Sequence, residues 1–285
     1  FSYLFADRYV LREGRQTVSN VFAERGFRYL QIVLRNFDRP VRLHKMEAIE
    51  RLYPYSERGS FQCSDPLLNK IWSACVQTLK VCSTDTLVDC PWRENTLYFN
   101  DMLVAAVTSL QVFGDARIIA RCYRLAVSQA LANGLLPSAV PVGVLPDMDT
   151  DASRIRMTIP SASMLLPSML EEYLLYTGDE AMVQEFIEPV LKILTTFATW
   201  EDVDGLITLP KEYWNMIDWS YPNGSLDGLN TSTLNWMHVG ALNATARLLG
   251  ALGDQRDVSP FKEKAAIISR AIDRGFWDES KQAYI

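Results

Sequence analysis

The dipeptide Gly-Asp occurs at Gly114-Asp115, Gly178-Asp179 and Gly253-Asp254, each time where one run of helix-spaced apolar residues stops and another begins. Glycine closes a helix in the left-handed conformation, and aspartate accepts the free N–H groups that open the next. Three such joints imply tight helical hairpins. The apolar spacing places helices over about seven segments: 66–82, 101–113, 115–133, 160–177, 179–201, 232–252 and 259–275. Between the hairpins lie long connections, 83–100, 134–159 and 202–231, each carrying acids and proline. Short and long connections that alternate in an antiparallel array put the tight turns at one end and the long loops at the other, where they build a shared pocket. The expected fold is mostly α, a closed ring of αα hairpins with its site on the long-loop face. An open helical solenoid is the alternative, because helix count alone does not establish closure.

Residues 1–62 read differently. The stretches 29–34 and 41–49 are rich in Val, Ile, Leu and Tyr and are punctuated by Asn36, Asp38 and Pro40, which is a strand pattern. They are expected to be the C-terminal part of a β-sandwich domain, with residues 63–285 forming the N-terminal part of a helical barrel. At the boundary, Asp65-Pro66 supplies an N-cap and a proline for the first helical turn. Phe1 and the Tyr284-Ile285 ending both read as internal to a longer chain.

Charge and composition exclude several functions. Lys plus Arg number 28 against 34 Asp plus Glu, a net charge of -6 with no basic run, which is the wrong footprint for a nucleic-acid binder. The apolar runs are too short to span a membrane. Five Cys without a CxxC spacing and only two His argue against a zinc centre and a disulfide framework, leaving free thiols. The seven Trp suit helix packing and sugar faces equally well.

The first long loop concentrates chemistry. It reads Asp89-Cys90-Pro91-Trp92-Arg93-Glu94-Asn95-Thr96-Leu97-Tyr98-Phe99-Asn100-Asp101, three carboxylates, an arginine and large aromatics beside a helix start. Inverting glycoside hydrolysis needs a protonated carboxyl at the leaving oxygen and a second carboxylate across the sugar, with room for water between them. A loop carboxyl against Trp92 and Tyr98 is a candidate acid, its pKa raised by desolvation. The plainer alternatives are Asp101 as an N-cap and Arg93 as the partner of Asp89.

This loop resembles the signature of the bacterial α-L-rhamnosidases, glycoside hydrolase family 78, commonly Asp-Cys-Pro-Gln-Arg-Asp-Glu-Arg-Leu-Gly-Trp followed shortly by Asp. The Gly-Ser-Phe-Gln-Cys-Ser-Asp lead-in at 59–65 is similar too, as are Asp204-Gly205-Leu206 and Ile217-Asp218-Trp219. The resemblance implies an (α/α)6 toroid preceded by the end of a β-sandwich, and an enzyme that removes a terminal α-L-rhamnose-like sugar with inversion and without a cofactor. It implies Glu94 as general acid, and Asp89, Arg93, Asp101 and Asp218 as sugar-binding residues, with Tyr98 and Trp219 covering the ring. A carbohydrate is the implied partner; nucleic acid and membrane insertion are not. The family's general base is a Glu late in the barrel, so the resemblance leaves that role to no residue of this chain; Asp218, then Glu212 and Asp101, are internal alternatives. The departures are a loop one residue shorter before Glu94, Trp92 in place of Gln, Tyr98 in place of a stacking Trp, and Ile159-Pro160-Ser161-Ala162 where the family often has Trp-Gly-Asp-Ala. Because these changes fall on sugar-contacting positions, a fold relative that binds carbohydrate without cleaving it is the alternative function.

Three further features have bland readings. His238, between Met237 and Val239, reads as a hydrogen-bonded packing residue, and Trp236 as core. Trp214 and Trp219 serve equally as packing groups or sugar platforms. Asp147, Asp149 and Asp151 lack the glycine and distal Glu of a calcium loop and read as a solvated acidic stretch.

Overall fold

The computed structural model describes residues 6–20, 24–141, 151–217 and 231–284. In chain order the elements are α1 (Pro66–Val81), β1 (Leu97–Tyr98), α2 (Phe99–Phe113), α3 (Arg117–Ser128), β2 (Ala139–Val140), α4 (Asp151–Arg156), α5 (Pro160–Ser163), α6 (Leu166–Thr177), α7 (Glu180–Gln184), α8 (Ile187–Ala198), α9 (Ser232–Ala251), α10 (Ser259–Phe276), β3 (Trp277–Asp278) and β4 (Ala283–Tyr284). The helical expectation holds, with two refinements. The segment 160–177 breaks after Ser163 and the segment 179–201 after Gln184. Each break falls about four residues before a proline, Pro167 and Pro189, whose missing N–H and bulky ring cannot accommodate the preceding helix. Helix α4 arises within a stretch expected to be loop.

The joints behave as their chemistry requires. Gly114, Gly178 and Gly253 take φ of 62°, 64° and 63°, the left-handed region where a side chain costs energy. Asp115, Asp179 and Asp254 then accept from the N–H groups of Arg117, Met182 and Arg256. At the first helix Asp65 accepts from Leu67 N, with Pro66 beside it, as expected.

One apolar core runs through the helices, with Phe99, Met102, Tyr123, Leu170, Phe186, Ile193, Phe197 and Leu248 almost wholly buried. Helix α9 is its centre and packs against both α6 and α10. Two sequence expectations fail at its margin. Trp236 is 37% exposed and meets Tyr284 edge-on rather than entering the core. His238 is buried, but its Nδ1 has no hydrogen-bond partner and its Nε2 stays 3.8 Å from Glu201.

Among the described residues of 1–62 there is no strand. An extended segment becomes a strand only when a neighbour supplies the ladder. None does here, and Tyr29, Ile32, Leu43 and Ile49 are exposed. The end of this segment nevertheless docks on the helices. Tyr53 N donates to Ser83 O at 2.8 Å, Gly59 N to Val112 O at 2.7 Å, and the Tyr55 ring stacks on Phe113 at 3.9 Å.

What matters most for function is that the long connections are joined to one another. Strands β1 and β2 pair antiparallel, Leu97 with Val140 and Tyr98 with Ala139, and Phe99 N donates to Ser138 O. These bonds tie the first connection to the second. Trp214 N donates to Thr158 O at 3.0 Å and Ser161 Oγ to Met216 O at 2.7 Å, tying the second to the third. The segment 159–162, which departs from the family form, is buried and serves as that join.

Candidate active site

The loop ahead of α2 is closed on itself by its own polar groups. Asp89 N donates to Thr96 O at 3.0 Å, and Thr96 N returns to Asp89 Oδ1 at 2.9 Å, so the two ends of 89–96 are clamped together. Asn95, at φ 49°, reverses the chain, and its Nδ2 donates to Pro91 O and to Glu24 Oε2. Thr96 Oγ1 donates to the Glu94 carbonyl at 2.9 Å. The loop is therefore rigid where it presents Glu94.

The Glu94 carboxylate is held from two sides. Arg93 Nε donates to both of its oxygens at 2.8 Å, and the Cys90 thiol donates to Oε2 at 3.1 Å. The hydrogen bond from Arg93 is the main reason that Glu94 lies well below the usual carboxylate value of 4.5, at about 2; bonds from Cys90 and Asp89 act the same way, and burial opposes them. This corrects the expectation that desolvation raises Glu94, because the neighbouring guanidinium outweighs the aromatic wall. It also replaces the expected Arg93–Asp89 pair. Desolvation is the dominant effect on the companion carboxyl instead: burial pushes Asp89 above its usual range despite the bond from Thr96. Of the two acids, Asp89 is the one biased to hold a proton.

The side-chain ligand atoms of Asp89, Cys90 and Glu94 all lie within 4.8 Å of one another, close enough to converge on a soft divalent cation. With Arg93 already neutralising Glu94 and burial keeping Cys90 protonated, the trio is a hydrogen-bonded cluster.

Asp89, Arg93 and Glu94 are thus brought together. Tyr98 ends β1, half-buried, immediately before α2. Asp101 is exposed in the first turn of α2, whose N-cap is Tyr98; it is an acid inside the helix start rather than the cap itself. Asp218 and Trp219 lie outside the described residues, as do Asp147 and Asp149. Asp204 occupies a tight turn and pairs with Arg274 at 3.2 Å, and Glu212 is exposed. A cleft of about 650 Å³ opens between the N-terminal segment and the loop, lined by Glu24, Arg51, Thr84, Asp85, Trp92 and Asn95 among others. Sequence reasoning passed over Cys90, grouping it with inert thiols; its spacing of four residues from Glu94 was the available signal.

Residues 56–285 match the sequence profile of the bacterial alpha-L-rhamnosidase 6 hairpin glycosidase domain. The chain belongs to this family. It is similar to the family 78 rhamnosidase of Bacillus sp. GL1, with 31% identity, 82% of this chain and 23% of that one covered, and a TM-score of 0.72. A rhamnosidase from Klebsiella oxytoca with rhamnose bound matches at 19% identity, 83% and 42% coverage and a TM-score of 0.67. The Streptomyces avermitilis alpha-L-rhamnosidase complexed with L-rhamnose matches at 18%, 79% and 20%, with a TM-score of 0.59. The two more distant likenesses establish shared fold alone. The chain spans about a quarter of the Bacillus enzyme's length. No curated protein matches the sequence. The six-hairpin helical architecture expected from the Gly-Asp joints and the loop signature is therefore the family's own.

Proposed function

We propose that the protein is an inverting glycoside hydrolase that removes a terminal α-L-rhamnose-like sugar, with Glu94 as the general acid. The observation that carries this reading is the clamped loop 89–96, which holds Glu94 between Arg93 and Cys90 at the head of α2 in a rhamnosidase-family domain. In this mechanism Arg93 leaves Glu94 to grip a sugar hydroxyl, which removes the main cause of the low pKa and lets the carboxyl take up a proton. Asp89, biased to be protonated and in contact with Glu94, is the nearest source. Glu94 then protonates the departing oxygen. Asp89, Asp101 and Asp218 hold ring hydroxyls, and Tyr98 and Trp219 cover the ring.

Asp89 cannot also be the base. Inversion needs the two carboxyls about 6.5–9.5 Å apart with a sugar and a water between them, whereas Asp89 and Glu94 share a hydrogen bond on one loop. The carboxylate that activates water therefore comes from another element.

A sugar-binding relative without catalysis is the second reading, favoured by one observation: in the unliganded arrangement Glu94 is ionised at neutral pH. Hydrolysis of a panel of aryl α- and β-glycosides, with and without Glu94→Gln, separates the two. Cleavage of the α-L-rhamnoside that falls about 100- to 10,000-fold in the folded variant, with NMR of the first-formed sugar giving the inverted anomer, is the expected result. A folded protein that binds rhamnose and cleaves no member of the panel sinks the hydrolase reading.

A further inference from the structure

We propose that Cys90 is a positioning residue for the general acid, its thiol fixing where the Glu94 carboxyl points and stabilising its ionised state. The inference rests on the assignment of Glu94 as the acid. Two independent contacts carry it. The thiol donates to Glu94 Oε2 at 3.1 Å, and the backbone N–H of Glu94 donates to the same sulfur at 3.4 Å, so one atom grips Glu94 by both its main chain and its side chain.

The surrounding geometry explains why sulfur is suited to this place. The loop is pinned at its ends by the Asp89–Thr96 pair and across its middle by Asn95 Nδ2 on Pro91 O. Cys90 lies inside that closure and bridges to the residue that must be aimed. A hydroxyl on the same Cβ has a shorter bond and stops a few tenths of an ångström short of both partners, so serine reaches them weakly and alanine reaches neither. Burial pushes the Cys90 thiol up from its usual range, so it remains a donor at neutral pH rather than a thiolate repelling Glu94. The other half-buried cysteine, Cys63, makes its side-chain bond to the Asp65 carbonyl far along the chain, and Cys75 is exposed.

The assignment separates positioning from packing. A thiol that merely fills space affects thermal stability when removed and leaves Glu94's titration alone. A thiol that donates to the carboxylate holds its pKa down, so Cys90→Ala moves the Glu94 midpoint upward, and with it the alkaline limb of kcat/KM, because the acid must be protonated to act.

The test is the side-chain ¹³C NMR titration of glutamate-labelled protein, with the Glu94 resonance assigned by its loss in Glu94→Gln, for wild type, Cys90→Ser and Cys90→Ala. The expected result is an upward midpoint in Cys90→Ala and an intermediate one in Cys90→Ser. On an aryl α-L-rhamnoside, kcat falls about tenfold in Cys90→Ala, the scale of a lost hydrogen bond to a charged group, with KM changed less than about twofold. A Glu94 midpoint that stays in place in folded Cys90→Ala overturns the proposal; should that variant not fold, an unmoved midpoint in Cys90→Ser does so. A wild-type protein that cleaves no glycoside fails the hydrolase reading, while the titration still decides the role of Cys90.

Discussion

Replacing Arg93 with glutamine isolates the electrostatic device at the centre of the site. The guanidinium donates to both Glu94 oxygens at 2.8 Å and is the largest contributor to a midpoint near 2. At pH 5 a carboxyl titrating at about 2 is protonated in about one molecule in a thousand, whereas one at the ordinary 4.5 is protonated in about one in four. Cys90 and Asp89 still act on Glu94 in the variant, so the full difference is not expected, but the protonated fraction at pH 5 should rise at least about tenfold. Infrared difference spectra of the unliganded protein read this directly, with the carboxylic acid C=O band assigned by its disappearance in Arg93→Gln/Glu94→Gln. Activity is the wrong readout, since Arg93 is also assigned a sugar hydroxyl and its loss raises KM. A protonated fraction that changes less than about twofold would refute the claim that Arg93 holds the acid ionised at rest, and the substrate-triggered release built on it.

Other expectations concern the frame. His238 is held down to about 4 by burial and by Lys264, so its neutral form is favoured in the fold; its contribution is complete above pH 6.5 and is lost as pH falls toward 4. Glu201, raised by burial, works in the opposite sense, so the comparison is between variants: urea unfolding of His238→Gln should lose about 3 kcal/mol less than wild type over that window, and an equal loss in both would count against the assignment. Lys264 bonds Glu201 at 2.6 Å, and the Glu201 side chain is only 10% exposed. Lys264→Met should cost about 2 kcal/mol, discounted because Lys264 is itself a third exposed, and Glu201→Gln added to it should recover most of that by urea melt. Gly178→Ala meets no neighbour within 4 Å, so only its left-handed backbone opposes it; about 1 kcal/mol by calorimetry is expected, with asparagine milder than alanine.

Much of the architecture was legible because its signals are local. Gly178-Asp179 states in two residues that one helix ends and another begins, and the apolar spacing of 232–252 admits only a helix. The breaks before Pro167 and Pro189 were equally local but were overridden by the apolar periodicity on either side. The chemistry was legible as a motif and misread as electrostatics. Composition places Glu94 beside Trp92 and Arg93 equally, and only the loop's closure decides that the guanidinium turns onto the carboxylate. Cys90 was hidden for the same reason, since a thiol's role depends on what the chain reversal at Asn95 brings to it. His238 was read as a satisfied histidine because sequence shows an apolar face, not whether a partner lies within reach.

The joins between the long connections are almost all made by main-chain atoms, at Leu97, Tyr98, Phe99, Ser138, Thr158 and Trp214, with the Ser161 hydroxyl the exception. Peptide groups are common to every residue but proline, so such a frame is indifferent to the side chains it carries. Positions 92, 98 and 159–162 can therefore drift without releasing one connection from the next. A lineage built this way can explore new sugars and new attachments by single exchanges on a constant floor. Ser161 is the place where that freedom narrows, because there a change of side chain is also a change of frame.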